Sequence, residues 1–113
     1  MKPGKISRLR IYVTENDKID NIPIHEKIIE LALNHGISGA TVMRGFAGFG
    51  CRGLHYAKIL RLSESLPVII EIMDSDEKLR LFAQHIKKIS SNCIVTIEEI
   101  ELLITKHHTD DNT

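Results

Sequence analysis

Three features of this 113-residue chain predict an α+β fold of the ferredoxin-like kind, β-α-β-β-α-β. Residues 6–14, 67–73 and 94–105 alternate or run apolar as strands do. Residues 23–35 and 74–90 carry apolar residues at helical spacing. A short β-type run at 40–44 lies between the first helix and a glycine-dense segment. That order gives a four-stranded antiparallel sheet with two helices on one face.

In the first strand Leu9, Ile11 and Val13 point one way and Arg8, Arg10 and Tyr12 the other. Glu15-Asn16-Asp17-Lys18 is polar and turn-like, and residues 15–22 read as a loop. Pro23 suits a first helical turn, Ile24, Ile28, Leu31 and Ala32 form the stripe, and Gly36 is a natural C′ residue. Residues 45–56 are too rich in glycine for a regular element, and 57–62 read as a strand or an ordered loop arm. Pro67 to Met73 is the densest apolar β run and reads as a central strand. Asp74 and Glu77 have the spacing of a capping box, after which Leu79, Phe82, Ala83, Ile86 and Ile89 form the second stripe. The last strand has a potential split at Glu98-Glu99.

The expected organisation is a single domain over 1–106 and a disordered tail over 107–113. Basic and acidic residues balance at fifteen each, so no basic footprint points to nucleic acid. Two cysteines without a disulfide framework fit a reducing compartment. The first residues lack the apolar core of a signal peptide, and no run is long enough to span a bilayer. The expected location is the cytoplasm.

Two helices on one face leave the other sheet face, with Arg8, Arg10 and Tyr12, to meet water, a partner or another subunit; the apolar central strands favour an oligomer. Arg8 and Arg10 either line a cleft between subunits or pair across the oligomer axis with Glu71 or Glu101, and the structural pairing is the expectation. Glu71, a carboxylate within an apolar strand, is expected to be a satisfied structural acid or to lie on the open face. Gly45-Phe46-Ala47-Gly48-Phe49-Gly50 is a loop of the type whose backbone approaches an anion closely. Arg44 at its entry offers a guanidinium matched to phosphate oxygens.

Gly36-Ile37-Ser38-Gly39-Ala40-Thr41-Val42, Gly48-Phe49-Gly50, and Leu66-Pro67 followed by Ile70-Glu71-Ile72-Met73-Asp74 resemble the helix exit, loop base and third strand of the PII-like nucleotide-binding signalling proteins. Glu15-Asn16-Asp17-Lys18, the run from Arg44 to Gly50 and the run from Arg61 to Pro67 resemble a shorter, uncharacterised branch of them, domain-of-unknown-function family 190. The resemblance implies a PII-like homotrimer with an adenine nucleotide in each intersubunit cleft. It implies nucleotide contacts from Gly39, Ala40, Thr41, Gly48, Phe49, Gly50, Glu71, Ile72 and Met73, with Arg44 and Gly45 added from the shorter branch. The Glu71–Met73 backbone would read the adenine edge and the Gly48–Gly50 amides would approach phosphate. It also implies a non-enzymatic regulator that engages a membrane transporter or an enzyme through its mobile loop. PII proteins have a glycine- and lysine-rich loop after the second helix; here residues 87–93 contain no glycine, and the last strand lacks the paired arginines. AMP or ADP is therefore expected rather than ATP.

A metal-binding trimer of the divalent-cation-tolerance type is the alternative, resting on Cys51 and His55. His25, His35 and His85 lie on helices without ligand spacing, so no metal is expected as a cofactor. No serine–histidine–acid or paired-carboxylate arrangement points to catalysis.

Overall fold

The computed structural model of the protein describes residues 1–46, 48, 66–90 and 93–105. The possible strand at 57–62, the tail, and Phe49, Gly50, Cys51 and His55 lie outside the described residues. The elements are β1 (Gly4–Thr14), β2 (Lys18–Ile19), β3 (Ile22–Pro23), α1 (Ile24–Asn34), β4 (Gly39–Arg44), β5 (Pro67–Asp74), α2 (Asp76–Ile89) and β6 (Ile94–Leu102). The main sheet has the order β4-β5-β1-β6, and every neighbouring pair is antiparallel. This is the predicted ferredoxin-like arrangement, with β4 and β6 at the edges.

Side-chain alternation along the strands gives the two sheet faces different characters. Leu9, Ile11 and Val13 of β1 and Val68, Ile70 and Ile72 of β5 turn to the helices. They pack with Ile24, Ile28 and Ala32 of α1 and Leu79, Phe82 and Ile86 of α2. Burial of each such Val, Leu, Ile or Phe side chain contributes about 1.5–3 kcal/mol. Arg8, Arg10, Tyr12, Ile69, Glu71 and Met73 lie on the opposite face.

Three local details differ from the sequence reading. Residues 18–23 form a small hairpin, β2 against β3, where a loop was expected. Asp20 and Asn21 turn it at φ 52° and 69°, the left-handed conformations that a two-residue I′ turn requires. The N-cap of α2 is Ser75, whose side chain accepts from the Lys78 amide, and not Asp74 in a capping box. The Asp74 carboxylate is instead taken up by the Ser75 amide and by the amide and hydroxyl of Ser38. Finally, β6 is continuous through Glu98-Glu99, because those residues pair with Arg8 and Ser7 of β1.

Helix α1 ends in a Schellman motif. The Gly36 amide donates to the Leu33 carbonyl and the Ile37 amide to the Ala32 carbonyl, with Gly36 at φ 67°. The chain then enters β4 directly.

Candidate functional site

The β4–β5 end of the sheet gathers most of the described residues singled out in the sequence. The register sets Gly39 opposite Met73, Ala40 opposite Ile72 and Thr41 opposite Glu71. Gly39, Thr41 and Met43 therefore share the open face with Glu71, Met73 and Ile69. Ile72 points the other way and is fully buried, so its side chain faces no cleft. As β5 lies between β1 and β4, the backbone of Glu71–Met73 is directed into those two ladders, and these residues offer the open face only the Glu71 and Met73 side chains. The unpaired edge belongs to β4, whose outward amides and carbonyls have no strand partner among the described residues.

Beyond Arg44 the chain closes tightly on the start of β5. The Gly45 amide donates to the Pro67 carbonyl at 2.7 Å. A Cβ at Gly45 would lie 2.5 Å from Pro67 Cγ and 3.2 Å from its carbonyl oxygen, closer than a side chain tolerates. Close approach, rather than a left-handed φ, therefore selects glycine there. Gly48 also sits over the proline ring, its virtual Cβ 3.4 Å from Cγ. The Glu15 amide donates to the Leu66 carbonyl at 2.8 Å, which ties the end of β1 to the same point.

Arg44 projects from this base with a largely exposed guanidinium, and Nη2 donates to Glu15 Oε1 at 2.9 Å and forms an ion pair with Oε2. Glu15 is in turn positioned by a tight turn. The Thr14 amide donates to the Asp17 carboxylate, the Asp17 amide returns to the Thr14 carbonyl, and the Ile24 amide donates to the Asp17 carbonyl. Asp17, read from the sequence as part of a polar turn, has turn-forming contacts here.

The open face carries a charge network. Arg10 Nε donates to Glu71 at 2.9 Å, Arg8 Nε lies 3.9 Å from the same carboxylate, and Arg8 Nη2 donates to Glu98. Glu71 is thus a satisfied acid on the open face; the two arginines pair within the chain, where pairing across an oligomer axis was expected, and the second acid is Glu98 rather than Glu101. The hydrogen bond to Glu71 raises the Arg10 pKa above its ordinary value. Among the described residues, Arg8 Nε is a buried donor without a hydrogen-bond acceptor.

At the other end of the sheet, Asp74 joins the α1–β4 and β5–α2 turns. Burial pushes its carboxyl pKa up, but donation from the Ser75 and Ser38 amides and the Ser38 hydroxyl, with Lys78 3.6 Å away, brings it net below the usual value. Cys93 is a free, half-buried thiol whose pKa burial raises, which opposes thiolate chemistry.

Two histidines without ligand spacing in the sequence meet in space. The rings of His35 and His85 have centroids 4.4 Å apart. Among the described residues no group of three or more His, Cys, Asp or Glu side chains converges on one point. No helix of the described residues is long and apolar enough to cross a membrane.

Residues 6–102 match the family model DUF190, described as Uncharacterized ACR, and the chain belongs to that family. A UPF0166 protein of Aquifex aeolicus (strain VF5) is 35% identical over 104 residues, covering 91% of this chain and 98% of its own. A UPF0166 protein of Methanocaldococcus jannaschii is 38% identical over 96 residues, covering 84% and 89%. Among solved structures, a protein of Thermus thermophilus proposed to be a PII-like signaling protein superposes with a TM-score of 0.66 at 16% identity, covering 91% of this chain and 94% of that one. CPII from Thiomonas intermedia K12, bound to ADP, AMP and acetate, superposes with a TM-score of 0.63 at 14% identity, covering 95% of each. The fold is that of the PII-like proteins.

Proposed function

We propose that this protein is a PII-like regulator that binds an adenine nucleotide, AMP or ADP in preference to ATP, in the clefts of a homotrimer. Occupancy is reported through the glycine-rich segment between Arg44 and Pro67, which engages a protein partner such as a transporter or an enzyme. The reading rests above all on the loop base: a glycine-tight backbone turn beside an exposed guanidinium, at the unpaired edge of the sheet. Such a base offers one fork-shaped cation to a phosphate, with the Gly45 amide already taken by the Pro67 carbonyl. Arg44 would exchange the Glu15 carboxylate for phosphate oxygens, which couples ligand binding to the β1 turn. CPII, which shares the fold, was solved with ADP and AMP, and this supports the choice of ligand class. The lack of glycine in residues 87–93 favours the shorter nucleotides.

The contacts proposed for Gly39, Ala40, Thr41, Arg44, Gly45 and Gly48 come from β4 and the loop base, with Phe49 and Gly50 continuing the loop. Those of Glu71 and Met73 come from side chains on the open face, and Ile72 supports them from the core. The open face itself, apolar around an ion network, supports assembly through subunit contacts. Calorimetric titration with AMP, ADP, ATP and cyclic di-AMP tests the ligand, and sedimentation tests the trimer. Arg44→Ala is expected to weaken nucleotide binding by about tenfold or more, the worth of a hydrogen bond to a charged group. Absence of binding to all four ligands at millimolar concentration refutes the nucleotide assignment.

A further inference from the structure

We propose that His35 and His85 form a two-imidazole site for a divalent transition-metal ion at the seam between α1 and α2, separate from the loop base. His35 is the C-cap of α1, held in place by the Schellman turn that follows it. Its ring stands edge-on to the buried Phe82, at 5.8 Å and 70°. Its Nδ1 lies 2.9 Å from the Leu31 carbonyl oxygen. A carbonyl only accepts, so Nδ1 carries a proton, and in the neutral ring Nε2 is the nitrogen with the lone pair. This is the outer-shell arrangement that orients a metal-binding imidazole: one ring nitrogen donates to a backbone carbonyl and the other is free to ligate.

His85 completes the pair from α2, one helical turn beyond Phe82. Neither of its ring nitrogens has a hydrogen-bond partner among the described residues. Two imidazoles bound side by side to one ion, with metal–nitrogen bonds of about 2.0–2.1 Å, have ring centroids about 4.5–5 Å apart. The observed centroid separation of 4.4 Å, at a tilt of 53°, falls just short of that range. Imidazole donors select Zn²⁺, Cu²⁺ or Ni²⁺ over Mg²⁺ and Ca²⁺. Lys78, earlier on α2, is occupied by the Gly36 carbonyl and balanced by Asp74, so its charge does not oppose the ion. With two protein ligands, water fills the remaining positions, and the bound ion clamps α1 to α2.

The probe is Zn²⁺ alone, titrated calorimetrically into full-length wild type, His35→Gln and His85→Gln. The tail histidines and the cysteines contribute the same background to all three. Both substitutions are expected to remove the same one-equivalent event, weakening it by more than the roughly tenfold loss seen when even an outer-shell partner is disturbed. Zn²⁺ is also expected to raise the melting temperature of wild type more than that of either variant. Isotherms that superimpose on wild type, or loss in one variant only, overturn the site. Should a variant not fold, imidazole ¹⁵N spectra of wild type decide: His35 Nε2 and one His85 nitrogen shift together with Zn²⁺, or the proposal fails.

Discussion

The two faces of one sheet use the same strands for different ends. Toward the helices, Leu9, Ile11, Val13, Val68, Ile70 and Ile72 make a dry aliphatic layer. On the far side the alternate residues of β1 and β5 set Arg8, Arg10 and Glu71 among Tyr12, Ile69 and Met73. A one-residue step along β5 thus moves from packing to chemistry. The helix face determines that the chain folds. The open face and the edge beside it determine what the folded chain can meet.

Adjacent isoleucines give the sharpest way to break that comparison. Ile70 is fully buried on the helix face, while Ile69 is half-buried on the open one. Ile70→Ala is expected to cost about 2–5 kcal/mol, from lost burial plus the cavity left behind. Ile69→Ala is expected to cost under about 1 kcal/mol in the isolated chain, near the range of surface changes. Urea unfolding measures both. A weakened oligomer in Ile69→Ala, seen by sedimentation, would assign the open face to subunit contact, whereas equal destabilisation by the two would remove the distinction.

The glycines of the loop base and of the strand separate next. Gly45→Ala forces a Cβ onto Pro67 and is expected to cost about 1–3 kcal/mol, as overpacking does, and to weaken nucleotide binding with it. Gly39→Ala meets nothing within 4 Å and is expected to stay within about 0.5 kcal/mol of wild type. Thermal melts of the pair decide. Gly45→Ala melting like wild type would mean that the base relaxes and that close approach is not why glycine is there.

The fold was legible because its evidence is periodic. β1 and α1 announce themselves by alternation and by the spacing of Ile24, Ile28 and Ala32, and the observed bounds agree to within about two residues. Element identity follows from such patterns, whereas contacts between distant residues do not. Glu71 was readable as a partner for the arginines, but across an oligomer axis; that Arg10 meets it within one chain depended on the β1–β5 register, and the choice of Glu98 over Glu101 on the β1–β6 register. The β2–β3 hairpin had a signal, Asp20-Asn21 between Ile19 and Ile22, too short to outweigh its polar surroundings. The meeting of His35 with His85 had none, since their separation of fifty residues is closed only by helix packing. For the candidate site, the grouping of β4 with the loop base was readable from glycine and arginine placement. That β5 keeps its backbone within the ladders emerged only with the strand order.

The open-face network yields a smaller, coupled effect. Glu71→Gln leaves Arg8 and Arg10 beside each other without their shared anion. These groups are partly exposed, so the cost falls between surface and buried pairs, at about 1–2 kcal/mol. A double-mutant cycle with Arg10→Gln is expected to return a favourable coupling that shrinks at high salt. Additive effects would mean that the network is incidental to stability.

Asp74 carries the least expected change and tests the helix-face side of the comparison. Its carboxyl pKa lies below the ordinary value because amide and hydroxyl donors and Lys78 together outweigh its burial. A carboxylate stabilised in the folded state releases its proton more readily there than in the unfolded chain. Its contribution is therefore complete above the unfolded pKa of about 3.9 and drains away as the pH falls through the lower folded value. Wild type is expected to lose up to about 1 kcal/mol more than Asp74→Asn between about pH 5 and pH 2, as the neutral amide has no proton to take up. Denaturant midpoints across that range measure the difference. Parallel acid limbs would show that the Ser38 and Ser75 donors hold the two turns equally well without the charge, leaving Asp74 a connector by shape alone.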